Sequence, residues 1–314
     1  RFLKTNRIPI NLLEKFEMTK EQVNRLEQLG DVEWFDNSTE EECKERIKGV
    51  DAVGIDWIDP SSFILSMKSP SLLALMSTGY DWIKYRSEAR VQGVLISNIP
   101  GYAAEAVAEH IIGLTLCVAR QTMIGDRNIR AGKKEKGYLQ GVELKGRKMG
   151  IIGLGRIGKR VAEIAKSFGM EIAAYNRHPK SCEGIKDLSL NDLLSYSDVV
   201  CLCCPLNNDS REMLNKKRLE SLKPNAILVG TTWNVVVLDD IIPLLKNGYI
   251  RGVGFDVAIE GSKIKLPEDL LNLDNVVLTP HIGYNTVEAK IRQVDIFIAN
   301  IETFKIGKPM NIVN

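Results

Sequence analysis

Gly153-Leu154-Gly155-Arg156-Ile157-Gly158 has the spacing of a phosphate cradle. Glycines at the first, third and sixth positions of such a turn do different jobs. The first permits the tight turn. The second lets the backbone approach a pyrophosphate with no Cβ in the way, and the third lets a helix pack close to a sheet. The flanking residues supply the context that three glycines alone lack. Met149-Gly150-Ile151-Ile152 reads as an apolar strand, and Ile157, Val161, Ile164, Ala165 and Phe168 recur on one face of a following helix. A pyrophosphate held by Gly153, Gly155, Arg156 and Ile157 would meet free N–H groups and the positive end of the helix dipole, with Gly158 packed beneath. About 20 residues further on, an NAD site places an acid on the ribose 2′-hydroxyl. Here the chain reads Ala174-Tyr175-Asn176-Arg177-His178, without an acid. Asn176 and Arg177 are the candidate ribose readers. Arg177 suits a 2′-phosphate, so the expected cofactor is NADP, with NAD possible.

The other reactive side chains are few. Of three histidines, His110 falls mid-helix and reads as core packing, and His178 lies in the ribose loop and reads as solvent-exposed. Cys201, Cys203 and Cys204 fall in an apolar run of strand length. Zinc would need spaced pairs with histidine partners nearby, so no metal site is expected. The three read as buried, reduced thiols, which fits a reducing cytoplasm. Six cysteines spread over the whole chain do not make a disulfide framework.

The elements that position these groups follow a βα rhythm from end to end, which argues for parallel sheets. Strands are expected near Asp31–Phe35, Ala52–Asp56, Leu72–Ser77 and Val94–Ser97. A second block is expected near Met149–Gly153, Glu171–Tyr175, Val199–Cys204, Ala226–Thr231, Gly252–Val257 and Val276–Thr279. Lys20–Leu29, Ala103–Arg120 and Val287–Phe304 read as helices, and Arg130–Lys136 as a basic, solvated loop. The 314 residues suggest two domains. A chain that is 44% hydrophobic and 26% charged is ordinary globular composition. Its 42 basic and 40 acidic residues leave a net charge of +2, which calls for neither nucleic acid nor a membrane surface as partner. The apolar run at Ile111–Ala119 is about half a membrane span, and the N-terminus has no signal-peptide core. The chain starts at Arg1 rather than Met, so its natural start is expected upstream.

Further motifs stand in a fixed order along the chain: Ser77-Thr78-Gly79-Tyr80-Asp81, Asn98-Ile99-Pro100-Gly101-Tyr102, Val107-Ala108-Glu109-His110, Pro205-Leu206, Gly254-Phe255-Asp256-Val257 and Leu278-Thr279-Pro280-His281-Ile282-Gly283. With the glycine turn, they make the chain resemble the D-isomer-specific 2-hydroxyacid dehydrogenases, including glyoxylate/hydroxypyruvate reductases and phosphoglycerate dehydrogenase, over nearly its whole length. The resemblance implies an α/β fold of two Rossmann/flavodoxin-like domains with parallel sheets and a cleft between them. Residues 1–100 plus 285–314 would form the substrate domain and 101–284 the dinucleotide-binding domain. It also implies a homodimer joined through the helix and loop around Ala103–Leu139. Cys204 and Pro205 would lie along the cofactor, Thr231 near the nicotinamide, and Asp256 at its carboxamide.

Reduction of a 2-oxo acid needs a proton donor, a cation for the carbonyl and carboxylate, and an acid to orient the donor. The resemblance makes His281 the acid/base. The family's arginine position, in a pattern like Asn-Thr-Ser-Arg-Gly, falls on Gly230-Thr231-Thr232-Trp233-Asn234. Trp233 thus replaces the cation, and indole has only one neutral donor. The backbone N–H groups of Thr78 and Gly79 are candidate carboxylate holders in its stead, with Trp233 against the substrate. Glu260 falls one residue short of the family's orienting glutamate, and Gly261 takes that place. The expected activity is hydride exchange between NAD(P) and a small 2-oxo or 2-hydroxy acid at an atypical active site. Two alternatives stay open. One is an inactive dinucleotide-binding regulator or scaffold, as in the carboxy-terminal-binding corepressors of the family. The other is different chemistry with another adenosine cofactor such as S-adenosylmethionine.

Overall fold

The computed structural model describes residues 7–133, 139–178, 182–257 and 266–314. The first part of the chain forms β1 (Ile8–Leu12), α1 (Lys20–Leu29), β2 (Gly30–Trp34), α2 (Glu40–Arg46), β3 (Ala52–Ile55), β4 (Ser71–Leu75), α3 (Arg86–Val91) and β5 (Val94–Ser97). Next come α4 (Ala104–Arg120), α5 (Thr122–Arg130), β6 (Lys148–Ile152), α6 (Arg156–Ser167), β7 (Glu171–Tyr175), β8 (Lys186–Asp187) and α7 (Leu190–Tyr196). The rest is β9 (Val199–Leu202), α8 (Lys216–Leu219), β10 (Ile227–Gly230), α9 (Leu238–Lys246), β11 (Gly252–Asp256), α10 (Glu268–Leu271), β12 (Val276–Thr279) and α11 (Val287–Lys305). The chain divides into two compact units, Arg1–Ala103 with Val287–Asn314, and Ala104–Thr286.

The first unit carries a five-stranded parallel sheet in the order β2-β1-β3-β4-β5. Strands β3 and β4 are buried along their whole length, which explains why they read as unbroken apolar runs rather than alternations. Phe297, Ile298 and Ile301 of α11 cover one face of the sheet together with Leu26 of α1. Cys43 and Ile47 from the α2 region and Ala89 of α3 cover the other. Thr19 and Thr39 each close a capping box at the start of α1 and α2. Strand β1 keeps the period-2 pattern of a strand in Ile8, Ile10 and Leu12, but Pro9, which cannot donate to a ladder, argues against a central strand there. Asn11 is nonetheless buried, and its Nδ2 donates to the Arg46 carbonyl at 2.7 Å.

Strand order reverses between β1 and β3, the place where open α/β sheets leave a crevice. Here Glu14 fills it. Its Oε1 accepts the backbone N–H groups of Asp56, Trp57 and Ile58 at 2.9, 3.0 and 2.8 Å. Burial, and secondarily the Glu14 charge, push the Asp56 carboxyl up to about 6 from 3.8. The folded chain therefore holds a proton there that the unfolded chain has released, and stability falls as pH rises through that window. Asp56→Asn is expected to stabilise the protein at pH 7.5 on the order of 1–2 kcal/mol and to lose that advantage below pH 4. Urea unfolding of both proteins across pH checks this; a gain independent of pH would rule out the ionisation as its source.

The second unit carries a seven-stranded parallel sheet in the order β12-β11-β10-β9-β6-β7-β8. Leu193 and Leu194 of α7 and Ile241 and Ile242 of α9 pack on Val200, Leu228 and Phe255 of the sheet. Helices α4 and α6 pack against each other, α4 on β10 and β11 and α6 on β6 and β7. The α6 face expected from sequence is buried at Val161 and Ala165, but Phe168 lies past the helix end and is exposed. Arg130 ends α5 rather than starting a loop, and residues 134–138 lie outside the described residues. Among the described residues, no helix is long and apolar enough to cross a membrane, and no cluster of His, Cys, Asp or Glu could hold a metal. All six cysteines are free thiols. Cys201 is buried as expected, but Cys203 and Cys204 are only partly covered, because β9 ends before them.

Candidate active site

In the second unit, strand order reverses between β6 and β9, and the glycine turn sits at the carboxyl ends of those strands. Gly153 has φ +96°, and a Cβ there would lie 2.6 Å from Cys204 N and 2.7 Å from its Cα. Position 153 thus excludes a side chain by both backbone angle and contact. A Cβ on Gly158 would lie 2.3 Å from the Gly153 carbonyl oxygen, so close packing of α6 demands the third glycine. Gly155 differs: a Cβ there would meet nothing within 4 Å. Its hydrogen faces open space at the start of α6, whose first turn has no side-chain cap. These are the features of a pyrophosphate cradle: open space, uncapped N–H groups and a helix dipole. Arg156 is exposed and Ile157 partly buried on that first turn.

A groove of about 300 Å³ runs on from this turn, lined in part by Tyr175, Asn176, Arg177, Cys204, Pro205 and Asp209. Asn176 Oδ1 accepts Leu154 N–H at 2.8 Å and so ties the groove to the turn. Its Nδ2 is buried and, among the described residues, has no hydrogen-bond partner. A buried unpaired donor beside an open groove calls for a ligand acceptor, and a ribose oxygen fits. Burial raises the Cys204 thiol to about 11, so at neutral pH it lines the groove as an uncharged group. Arg177, expected to stand free for a phosphate, instead pairs with Asp209. Asp209 is a groove residue that the spacing of the glycine turn does not reveal. Its nearest signal is the Pro205-Leu206-Asn207-Asn208-Asp209-Ser210 stretch, rich in turn formers.

His281 follows β12 with φ +52°, in the left-handed region. Asp256, at the end of β11, holds that turn from beneath. Its Oδ1 accepts Ile282 N–H at 3.0 Å and its Oδ2 accepts Gly283 N–H at 2.8 Å. Thr279 Oγ1 donates to the same Oδ1 at 2.5 Å, which leaves it an acceptor for His110 Nε2 at 2.8 Å. His110, read from sequence as packing, is therefore part of a polar network under the His281 turn. A Cβ on Gly283 would lie 2.9 Å from Asp256 Oδ2 and 3.2 Å from His110 Cδ2, which accounts for that glycine. The His281 ring is exposed and meets Tyr284 edge to face, with centroids 5.5 Å apart.

The remaining candidate residues fall in three groups. Thr231 follows β10 and is partly buried, and the neighbouring Thr232 Oγ1 donates to the Cys204 carbonyl at 2.9 Å. Trp233 opens a short 3-10 turn and packs against the core of the second unit. Thr78 and Gly79 belong to the first unit, in the turn after β4. Thr78 Oγ1 donates to the Ile99 carbonyl at 3.0 Å, and Asn98 Nδ2 donates to the Thr78 carbonyl at 2.7 Å. Thr78 and Gly79 are exposed, and among the described residues no backbone carbonyl accepts their N–H groups. Glu260 lies outside the described residues.

A doubly wound parallel sheet with a glycine turn at its switch point and an imidazole turn on the same carboxyl edge defines a dinucleotide-dependent enzyme class. The comparisons make the class specific. Residues 112–283 match the pattern of the D-isomer specific 2-hydroxyacid dehydrogenase, NAD binding domain. A glyoxylate reductase of Pyrococcus furiosus is 37% identical over 314 residues, covering 93% of this chain and 91% of that protein. The solved structure of an acyclic imino acid reductase in complex with NADPH and D-Arg superposes with a TM-score of 0.86 at 29% identity, covering 98% of this chain and 100% of that one. A glyoxylate reductase from Paecilomyes thermophila superposes with a TM-score of 0.85 at 26% identity, covering 98% and 99%. The chain belongs to the D-isomer-specific 2-hydroxyacid dehydrogenase family. It is an oxidoreductase of the NAD(P)-dependent 2-hydroxyacid type.

Proposed function

We propose that this enzyme reduces a small 2-oxo acid of the glyoxylate or hydroxypyruvate kind to the 2-hydroxy acid, with NADPH preferred and NADH accepted. The observation that carries this reading is that the pyrophosphate cradle and the His281 turn share the carboxyl edge of one parallel sheet. A nicotinamide dinucleotide, when bound, supplies the hydride. The chain's own residues do the rest. The glycine turn and Asn176 hold the dinucleotide, and Cys204, Pro205 and Thr231 line its path. His281 gives a proton to the carbonyl oxygen as it becomes a hydroxyl. The resemblance offers the N–H groups of Thr78 and Gly79 for the carboxylate in place of an arginine, and Trp233 offers an apolar wall. Asp256, the carboxamide candidate, also acts through the turn it holds. Glu260 is the remaining candidate for orienting His281. The open cradle around Gly155 and the unpaired Asn176 donor support a bound dinucleotide.

A second substrate class has support of its own. The imino acid reductase that matches 98% of this chain was solved with NADPH and D-Arg. With Trp233 where the resemblance implies arginine, a 2-imino acid formed from a 2-oxo acid and an amine is the alternative electrophile. We also propose a cytoplasmic homodimer. The free thiols fit the first part, and exposed Met123 and Ile129 on α5 fit the second.

The deciding assay follows NADPH and NADH oxidation with glyoxylate, hydroxypyruvate and pyruvate, each with and without ammonium. Turnover without ammonium is the expected result. Turnover only with ammonium would move the assignment to imino acids. No turnover alongside tight dinucleotide binding would identify a regulator, and failure to bind either dinucleotide would point to another adenosine ligand.

A further inference from the structure

The end of β7 lacks the acid that would bind a ribose 2′-hydroxyl, yet the groove beside it contains one. Asp209 reaches the groove from the segment after β9 and pairs with Arg177. We propose that Asp209 is a specificity-determining residue that stands in for the missing β7 acid and, with Arg177, sets the balance between NADH and NADPH. This rests on the reading of the glycine turn as a dinucleotide site.

The backbone at Asp209 is held by a self-capped turn. Asn207 Oδ1 accepts the N–H groups of Asp209 and Ser210 at 3.0 and 3.1 Å. Ser210 Oγ donates to the Pro205 carbonyl at 2.7 Å and accepts Asn207 N–H at 2.9 Å. The turn therefore fixes the Asp209 backbone relative to Pro205, and both residues line the groove. Asn176 lines the same groove and marks its ribose end, with its Nδ2 buried and without a partner among the described residues.

The pair gives the two cofactors different reception. A ribose 2′-hydroxyl is a hydrogen-bond donor. It can donate to Asp209 while Arg177 keeps its ion pair and holds the carboxylate in place. A 2′-phosphate is an acceptor that carries nearly two negative charges. It binds by taking Arg177 away from Asp209, and it then sits beside an uncompensated carboxylate. The side chains of Arg177 and Asp209 are 62% and 70% exposed, so the pair opens at little cost and NADPH is not excluded. What remains is a repulsion that scales with the charge on Asp209 and is screened by salt. In this arrangement Arg177 alone would favour NADPH, and Asp209 pulls the preference back toward NADH.

The test compares dissociation constants for NADH and NADPH, from quenching of protein fluorescence, in the natural protein, Asp209→Asn and Arg177→Ala. Asp209→Asn is expected to shift the affinity ratio about tenfold toward NADPH at low salt and clearly less at 0.5 M salt. Arg177→Ala is expected to shift it the other way, with NADH still bound. A ratio unchanged within twofold in Asp209→Asn, or an equal change for both cofactors, would overturn the role of Asp209 while leaving the dinucleotide site intact. If the natural protein binds neither cofactor, the glycine-turn reading itself fails, and this proposal falls with it.

Discussion

His281→Ala is expected to lower kcat/KM about a thousandfold and to leave dinucleotide affinity within twofold of the natural protein. General acid–base groups contribute roughly 10²- to 10⁴-fold, and no other histidine can take over the role. His110 is engaged beneath the turn, on Thr279, and His178 lines the groove beside the glycine turn. The ring's orientation depends on a backbone φ of +52° at His281. Two backbone N–H groups bound to the buried Asp256 carboxylate maintain it. Single-turnover oxidation of NADPH by the variant, with binding measured separately, checks the prediction. A variant with full activity would remove His281 from the mechanism. A variant that had lost cofactor binding would assign the residue to binding instead.

Substituting the first two glycines of the turn should separate folding from binding. Gly153→Ala places a Cβ 2.6 Å from Cys204 N at a backbone φ of +96°. The expected cost is about 3 kcal/mol or more, a fall in Tm on the order of 10 °C, with dinucleotide binding lost as β6 and β9 are forced apart. Gly155→Ala places a Cβ where no atom lies within 4 Å, and the backbone there, at φ −81° and ψ −159°, is open to alanine. Stability should change by less than about 1 kcal/mol. Dinucleotide affinity should fall about a hundredfold, because the methyl group occupies the space a pyrophosphate needs. Calorimetric melting and a binding titration on both variants decide the matter. Equal affinity loss in both without a stability difference would mean that the two glycines do the same job.

Much of this enzyme is legible in its residue order, and the reason is local. Strands buried on both faces must be apolar throughout, so β3, β4, β9 and β10 stand out as short runs. A tight strand–turn–helix needs glycine at fixed steps, so residues 153–158 stand out by their spacing. Strand β1 escapes notice because Pro9 sits inside its Ile8/Ile10/Leu12 alternation, and its assignment depends on pairing with β2 and β3.

The candidate site divides along the same line. Sequence alone determined the glycine turn and the two-block α/β rhythm, and the ordered motifs added the family and its candidate histidine. Each depends on residues that are neighbours in the chain. Only the tertiary structure decided that Asp209 meets Arg177, that Asp256 holds the His281 turn, and that His110 joins that network through Thr279. Parallel strands must be joined by long crossovers. Groups gathered on the carboxyl edge of such a sheet therefore come from distant segments, and no local spacing records which of them will meet.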